Sequence, residues 1–398
     1  MGRDTFGWVA SLVLAAQWFF VDLDFSQVGL AGSGPDVVKW AVLAPIALLP
    51  AFALPLLSPS LGRELRRGPQ AWMTAWLAWS LVTIGWTLEP RQTVLQGISI
   101  VGLWIYGYWF SATFGVERFL RVAMVSVSAF LVVGLGRDLA TGNISLDGSE
   151  RFFGITFAAT NLARVAMLAL FIGVAVWRDP RWRRLATPCI ALAVVCLLGT
   201  HTRTVLLAIL LGVAYLAGRR FGWRVGALAF AGVALATTLA IVVAADTAVV
   251  SRGEGTADLG SFNGRTTIWP IAFDDISERP LLGYGTASTA GLWERAETDG
   301  EIVWNAKNSH NLVLDLLLAQ GIVGAALFVG GIVQYWRHSA RRVPEMMNAV
   351  IIAVLASGVT EAIINRPSVS ILVLAAGFGA AGARATDREA PRSAVAVG

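Results

Sequence analysis

The sequence predicts an all-α protein, a polytopic transmembrane helical bundle of about 12 spans, each needing roughly 20 apolar residues. Three observations carry that prediction. Hydrophobic residues make up 56% of the chain and charged residues only 14%, whereas a soluble surface needs roughly a quarter of all residues charged. The apolar residues fall in long continuous runs, without the alternation of a barrel strand. The arginines gather in every second connection between the runs, which is the asymmetry that marks cytoplasmic loops.

The runs lie at 5–21, 38–57, 71–88, 93–114, 121–140, 155–177, 185–200, 203–217, 224–243, 311–336, 347–364 and 369–383. The first lacks a strongly basic leader, and Gln17 and Trp18 follow instead of a small-residue cleavage site. It is expected to stay as the first span. With the N-terminus inside, the cytoplasmic segments hold Arg3; Arg63, Arg66 and Arg67; Arg118 and Arg121; Arg178, Arg181, Arg183 and Arg184; Arg219, Arg220 and Arg224; Arg337, Arg341 and Arg342; and Arg384, Arg388 and Arg392 of the tail. The short outer loops hold little beyond Arg91, Arg151 and Arg366. Both termini are then cytoplasmic. Cys189 and Cys196 share one run and stand about 10 Å apart at helical rise, too far to bridge. No basic run interleaves with exposed aromatics, so the net charge of +5 reflects topology and no nucleic-acid partner is expected.

Three regions follow. Residues 1–243 hold spans one to nine, 244–309 form a large extracytoplasmic loop, and 310–398 hold spans ten to twelve and the tail. The loop carries Arg252, Arg265, Arg279, Arg295 and Lys307 on the side where positive charge is not expected. They either bind an anion or are surface charge balanced by neighbours such as Asp274, Asp275, Glu278, Glu294 and Glu297. Gly253, Gly255 and Gly260 suggest a mobile first part. Within the loop, 268–276 spaces Trp269, Ala272, Phe273 and Ile276 on one helical face. This predicts a short amphipathic helix on the outer face of the membrane, with Arg265 at its start and Pro280 at its end. Arginine there suits phosphate, because its planar fork bonds two oxygens at once.

Of the three histidines, His338 sits among cytoplasmic arginines and reads as a solvated loop residue. His201 lies in a short outer turn and is either structural or part of a site. His310 closes the large loop and opens the next helix in Asn308-Ser309-His310-Asn311-Leu312. It is placed to act as a general base near neutral pH, or to pack beside a helix capped by Asn308 or Ser309. Arg203 opens an otherwise apolar helix, which calls for snorkelling or an anion. Arg164 lies inside the sixth span, three residues after Asn161, with Asp138, Asp315 and Glu361 as candidate partners. Glu361 sits near the outer end of the eleventh span, beside Asn365 and Arg366. Asp22 and Asp24 in the first outer loop form only a weak metal-type pair, and no metal or cofactor is expected.

Taken in order, several of these segments resemble one family. They are Arg151-Phe152-Phe153-Gly154 with Asn161-Leu162-Ala163, Thr202-Arg203-Thr204, Gly264-Arg265-x-x-x-Trp269, Pro280-Leu281-Leu282-Gly283-Tyr284-Gly285, and His310-Asn311, nine residues, Gly321, two residues, Gly324. Over roughly 150–335 the chain resembles the O-antigen ligase and polymerase superfamily. The resemblance implies a C-type membrane glycosyltransferase in the bacterial cytoplasmic membrane, with its site on the outer side. The enzyme would take a glycan from undecaprenyl diphosphate and pass it to an acceptor hydroxyl, without a metal. The residue matching His310 is required in the family, and those matching Arg203 and Arg265 hold the diphosphate; His310 either takes the proton of the acceptor hydroxyl or, as imidazolium, stabilises the leaving diphosphate. Lys307, Asn311, Trp269, Arg164, Arg91 and Glu361 are further candidates. The acceptor is either a lipid A core, as in lipopolysaccharide, or a cell-wall polymer. A polymerase joining carrier-linked repeat units is the alternative within the family. A secondary transporter or lipid-linked glycan flippase is the alternative outside it, but no repeat relates the two halves.

Overall fold

A computed structural model describes residues 3–22, 49–56, 58, 60–142, 151–156, 158–232, 265–300, 302, 308–359 and 361–389. Among these residues the chain is helical, with no strand. The main helices are α1 (Arg3–Phe20), α2 (Leu49–Leu56), α3 (Gly68–Val82), α4 (Pro90–Phe114), α5 (Val116–Thr141), α6 (Ala159–Trp177), α7 (Arg183–Thr200) and α8 (Arg203–Phe221). After them come α9 (Arg265–Glu278), α10 (Thr289–Thr298), α11 (Leu312–Gln334), α12 (Glu345–Ser357) and α13 (Val369–Glu389). Six helices among the described residues are long and apolar enough to cross a membrane: α4 to α8 and the α11 stretch Leu312–Arg337. Glu345–Ser357 and Val369–Gly382 are shorter apolar helices.

Most of the run 38–57, the second half of 224–243 and the glycine-bearing 253–260 lie outside the described residues. The run 347–364 differs from its expected form. Its helix stops at Ser357, and 358, 359 and 361–368 are not helical, yet Ala362, Ile363, Ile364, Asn365 and Ser368 are buried. Gly358 closes α12, and Pro367 turns the preceding Arg366 away from helical geometry. Such backbone survives at membrane depth only where protein covers it.

Packing between apolar helices has little hydrophobic drive in lipid, so close approach and dispersion must supply it. α4 and α13 meet at Gly107, where an added methyl would lie 2.9 Å from the Leu372 carbonyl oxygen. An aromatic chain joins four helices: Trp76 of α3 to Trp104 of α4 at 6.5 Å, Trp76 to Phe328 of α11 at 5.3 Å, and Trp104 to Phe378 of α13 at 5.3 Å. Such edge contacts add about 0.5–1.5 kcal/mol each beyond area burial. α8 and α12 run antiparallel. Gly212 faces the Ala349 carbonyl, and Arg219 pairs with Glu345 at 3.1 Å towards the opposite end from His310. Asp22, considered above for a metal, accepts the Val369 N–H at 3.3 Å and so caps α13.

The large loop is anchored at two places. Helix α9 packs on α11 through Ile268 and Ala272, both fully buried with Leu314 and Leu318. Trp269, Ile271 and Ile276 are half-buried beside them. Phe273 is 59% exposed, so it does not pack against the rest of the protein as Ile268 and Ala272 do. Leu292, Trp293 and Ala296 of α10 belong to the same buried cluster. A polar ladder forms the second anchor. Thr83 meets Thr286 at 3.0 Å, Thr87 meets Ser288 at 2.7 Å, and Thr286 donates to the Ser80 carbonyl at 3.1 Å.

Between these anchors, residues 280–285 lie across a break in α11. Gly321 has φ 64° and ψ −170°, a conformation essentially open only to glycine. The break frees backbone groups that the strap satisfies. Tyr284 and Gly285 N–H donate to the Leu318 and Ala319 carbonyls, each at 2.8 Å. Ile322 and Val323 N–H donate to the Pro280 and Leu281 carbonyls, at 2.8 and 3.3 Å. The Pro-Leu-Leu-Gly-Tyr-Gly segment and the paired glycines of α11 are therefore one interlocked unit. The Tyr284 hydroxyl donates to Glu278 at 2.8 Å. Burial, then that bond, pushes its pKa up to about 12, so the donor persists at any physiological pH.

Candidate active site

His310 sits in a left-handed turn, with φ 49°. This region costs on the order of 1–3 kcal/mol outside glycine and persists only when its surroundings enforce it. Here they do. The His310 N–H donates to Asn308 Oδ1 at 2.8 Å, and Ser309 Oγ donates to the Asn311 carbonyl at 2.9 Å. Trp269 Nε1 of α9 donates to the Ser309 carbonyl at 3.1 Å. The cap of α11 is Asn311, not Asn308 or Ser309. Its Oδ1 accepts from Val313 and Leu314 N–H at 2.9 and 3.2 Å. The carbonyls of Gly358 and Val359 decide that choice. They accept from Leu312 N–H at 2.7 Å and Asn311 Nδ2 at 3.1 Å, and so tie the turn to the end of α12.

The imidazole faces an acid. Nδ1 of His310 lies 3.4 Å from Oε2 of Glu361, which is buried in the non-helical 358–368 segment. Beside it, Arg366 interacts electrostatically with Asp315, Glu361 and Arg164. Asn365 Nδ2 donates to the Asp315 backbone at 2.8 Å and to its carboxylate at 3.1 Å. Gln320 Nε2 joins Asn365 to Ser80, at 3.2 and 3.0 Å. Arg164, buried in α6, makes a short hydrogen bond to Asn161 one turn earlier. Its other candidate, Asp138, is occupied by Arg137 and by the Gly154 N–H. The cluster thus gathers two cations and two carboxylates at one end of the bundle. Charges at such depth persist when they are paired with one another or with the backbone.

A second left-handed turn lies before Arg203. His201 also has φ 49°. Arg151 grips this turn from the preceding connection, donating to the Thr200 carbonyl at 3.0 Å and to Thr202 Oγ1 at 3.2 Å. Phe152 N–H donates to the Gly199 carbonyl at 2.9 Å. Gly154 N–H donates to Asp138 Oδ2 at 2.8 Å, which anchors the whole Arg-Phe-Phe-Gly segment to α5. Asp138→Ala would strand that buried N–H, at a cost of about 1–3 kcal/mol. The expected result is a lower thermal midpoint in detergent, with Asp138→Asn recovering part of the loss because its amide oxygen can still accept the Gly154 N–H. Gly212 of α8 stands opposite Ala349 of α12. Counting outward from that pair by equal numbers of residues brings Arg203 level with Gly358, whose carbonyl holds Leu312.

His310, Asn311, Trp269 and Glu361 come together, and Arg366 is attracted to Glu361 and repelled by Arg164. Arg265 is the first residue of α9. Arg91 is exposed in the first turn of α4, beside Glu89 and the α10 side of the loop. Lys307 lies outside the described residues. Gln320 is a member of this cluster that sequence reasoning missed; Asn365 and Arg366 are noted there only as neighbours of Glu361, and Asp315 only as a candidate partner of Arg164. Their signal was polarity: Asp315 and Gln320 interrupt an apolar run, and Asn365-Arg366-Pro367 closes one. Among the described residues no three His, Cys, Asp or Glu form a metal-binding group.

Residues 188–329 match a family model described as O-antigen ligase. The matched stretch contains both left-handed turns, α9, the strap and the break in α11. No curated protein matches the chain. This part of the chain is therefore similar to the O-antigen ligase family, whose ligases and polymerases are membrane glycosyltransferase-like enzymes, and the six candidate spans among the described residues agree with a membrane protein.

Proposed function

We propose that the protein is an O-antigen ligase-like glycosyltransferase. It moves a glycan from undecaprenyl diphosphate to an acceptor hydroxyl on the outer side of the bacterial cytoplasmic membrane. The carrying observation is the His310 turn, a left-handed conformation enforced from α9, α11 and α12 with the ring set against Glu361. A preset turn of this kind suits a group that must meet a reacting atom in one orientation. His310 accepts the proton of the acceptor hydroxyl as that oxygen attacks the sugar.

The donor is a diphosphate ester, so negative charge grows on the leaving group and calls for fixed cations. Arg203 and Arg265 take that role in this reading, each opening a helix, where backbone N–H groups also favour anions. Lys307 and Arg91 supply further positive charge on the approach. The acceptor is a lipid A core or a cell-wall polymer, and membrane lipids surround the site. About twelve spans in a C-type arrangement, with both termini cytoplasmic, complete the proposal.

The test is transfer by purified protein in detergent, given an undecaprenyl-diphosphate glycan, with and without EDTA. The expected result is chelator-resistant release of carrier diphosphate with the glycan moved once onto a second acceptor. A ladder of growing carrier-linked chains would make the enzyme a polymerase. Arg203→Ala and Arg265→Ala are each expected to lower transfer on the order of 10²–10³-fold, as loss of one transition-state donor does. Full activity in either variant removes that residue from the site.

A further inference from the structure

The connection between α6 and α7 carries charge that the site does not use. Residues 177–184 read Trp-Arg-Asp-Pro-Arg-Trp-Arg-Arg, four arginines against one acid. The segment leads into α7, Arg183–Thr200, and so lies about 27 Å at helical rise from the His201 turn at the other end. Its backbone is closed on itself. Asp179 N–H donates to the Val176 carbonyl at 3.0 Å, and Trp182 and Arg183 N–H donate to the Asp179 carbonyl at 3.0 and 3.1 Å. The Arg183 guanidinium lies over the Trp177 ring at 4.5 Å, and Trp177 Nε1 donates to Thr187 at 3.2 Å. The one acid is occupied: its carboxylate accepts from Arg121 of α5 at 2.9 Å and from the Arg181 N–H at 3.0 Å. Glu117 of α5 also turns to Arg121, at 3.7 Å. Arg178, Arg181 and Arg184 are exposed, with no second acid in the segment to balance them.

This charge passes directly into an apolar face. Steps of four and three residues along α7 from Arg184 reach Pro188, Ala191, Val195 and Leu198, all exposed, and that spacing keeps them on one side of the helix. At the charged end, Leu185 and Trp177 are 58% and 42% exposed. From Arg184 to Leu198 the face runs about 21 Å, enough to cross the roughly 15 Å of hydrocarbon in one leaflet. Tryptophan beside arginine at such a boundary suits the headgroup layer. We infer that the α6–α7 connection binds an anionic glycerophospholipid, its phosphate among Arg178, Arg181 and Arg184 and an acyl chain along Pro188, Ala191, Val195 and Leu198. A free phosphate or a nucleic acid would meet the arginines and leave the apolar face unused. A zwitterionic lipid would cover that face and leave the arginines unbalanced. The inference does not depend on the reaction proposed above.

The test is native mass spectrometry of delipidated protein in detergent, offered equimolar phosphatidylglycerol and phosphatidylcholine of the same chain length. Phosphatidylglycerol adducts should dominate. An arginine beside an anionic membrane surface is worth roughly fivefold in binding, so Arg178→Gln/Arg181→Gln/Arg184→Gln should cut the preference on the order of a hundredfold, and Arg184→Gln alone about fivefold. Arg337→Gln/Arg341→Gln/Arg342→Gln, which removes three arginines from another connection, should keep it. Equal uptake of the two lipids by the intact protein, or an undiminished preference in the first triple variant, would overturn the inference. Glycerol 3-phosphate in excess should not displace the lipid. Displacement would show a phosphate site that ignores the α7 face, and would overturn the lipid assignment. The replaced side chains are exposed, so the fold should hold; if the triple variant fails to fold, the single Arg184→Gln decides by the same comparison.

Discussion

His310→Ala is expected to lower glycan transfer about 10²–10⁴-fold, the range for losing a positioned general base, while leaving the protein folded. The fold should survive because the turn is held by groups other than the imidazole. The His310 backbone N–H bonds Asn308, the Ser309 carbonyl accepts from Trp269, and Asn311 caps α11. Alanine at φ 49° is somewhat strained, so a small drop in thermal midpoint is expected beside the large drop in rate. His310→Asn tests the distinction, because asparagine tolerates the left-handed region better. The activity loss should persist in it while the midpoint recovers. Wild-type rates in both variants would take His310 out of the chemistry.

Gly321→Ala is expected to give the largest loss of stability. At φ 64° and ψ −170° alanine is excluded on backbone grounds, and its methyl would lie 2.2 Å from the Leu281 carbonyl oxygen. If α11 straightens to accommodate it, the four hydrogen bonds to the strap are lost. At about 0.5–1.5 kcal/mol net each, the total is a large part of a protein's stability of about 5–15 kcal/mol. The measurement is thermal unfolding in detergent together with protease sensitivity of residues 280–300. Gly136→Ala is the control, since open space surrounds Gly136 in the middle of α5. A midpoint for Gly321→Ala equal to that of the control would show that the strap does not depend on the break.

The spans α4 to α8 were legible because each is a long apolar run between arginines. Their observed bounds differ from the runs by a few residues. Trp269, His310, Asn311 and Glu361 were named as candidates, and they do meet. What was not legible depends on contacts distant in sequence. Gly321 lies in a run that reads as one uninterrupted helix. A glycine among apolar residues says nothing of its φ until Leu281 and Tyr284 are seen opposite it. Three polar residues compete to cap α11, and carbonyls at 358 and 359 settle it for Asn311. The end of α12 at Ser357 was hidden because Ala362, Ile363 and Ile364 are as apolar as any span.

The exchange of backbone bonds between strap and broken helix also limits how this chain can be recombined. Leu318 and Ala319 are matched to Tyr284 and Gly285, and Ile322 and Val323 to Pro280 and Leu281. A crossover anywhere from 286 to 317 gives a chimera its strap from one parent and its break from the other. If the parents differ in where the glycines fall, both halves carry stranded polar groups into the membrane. A junction upstream of α9 moves the pair intact. The smallest segment that can be exchanged between relatives without regard to parentage on this count therefore begins before Pro280 and ends after Val323.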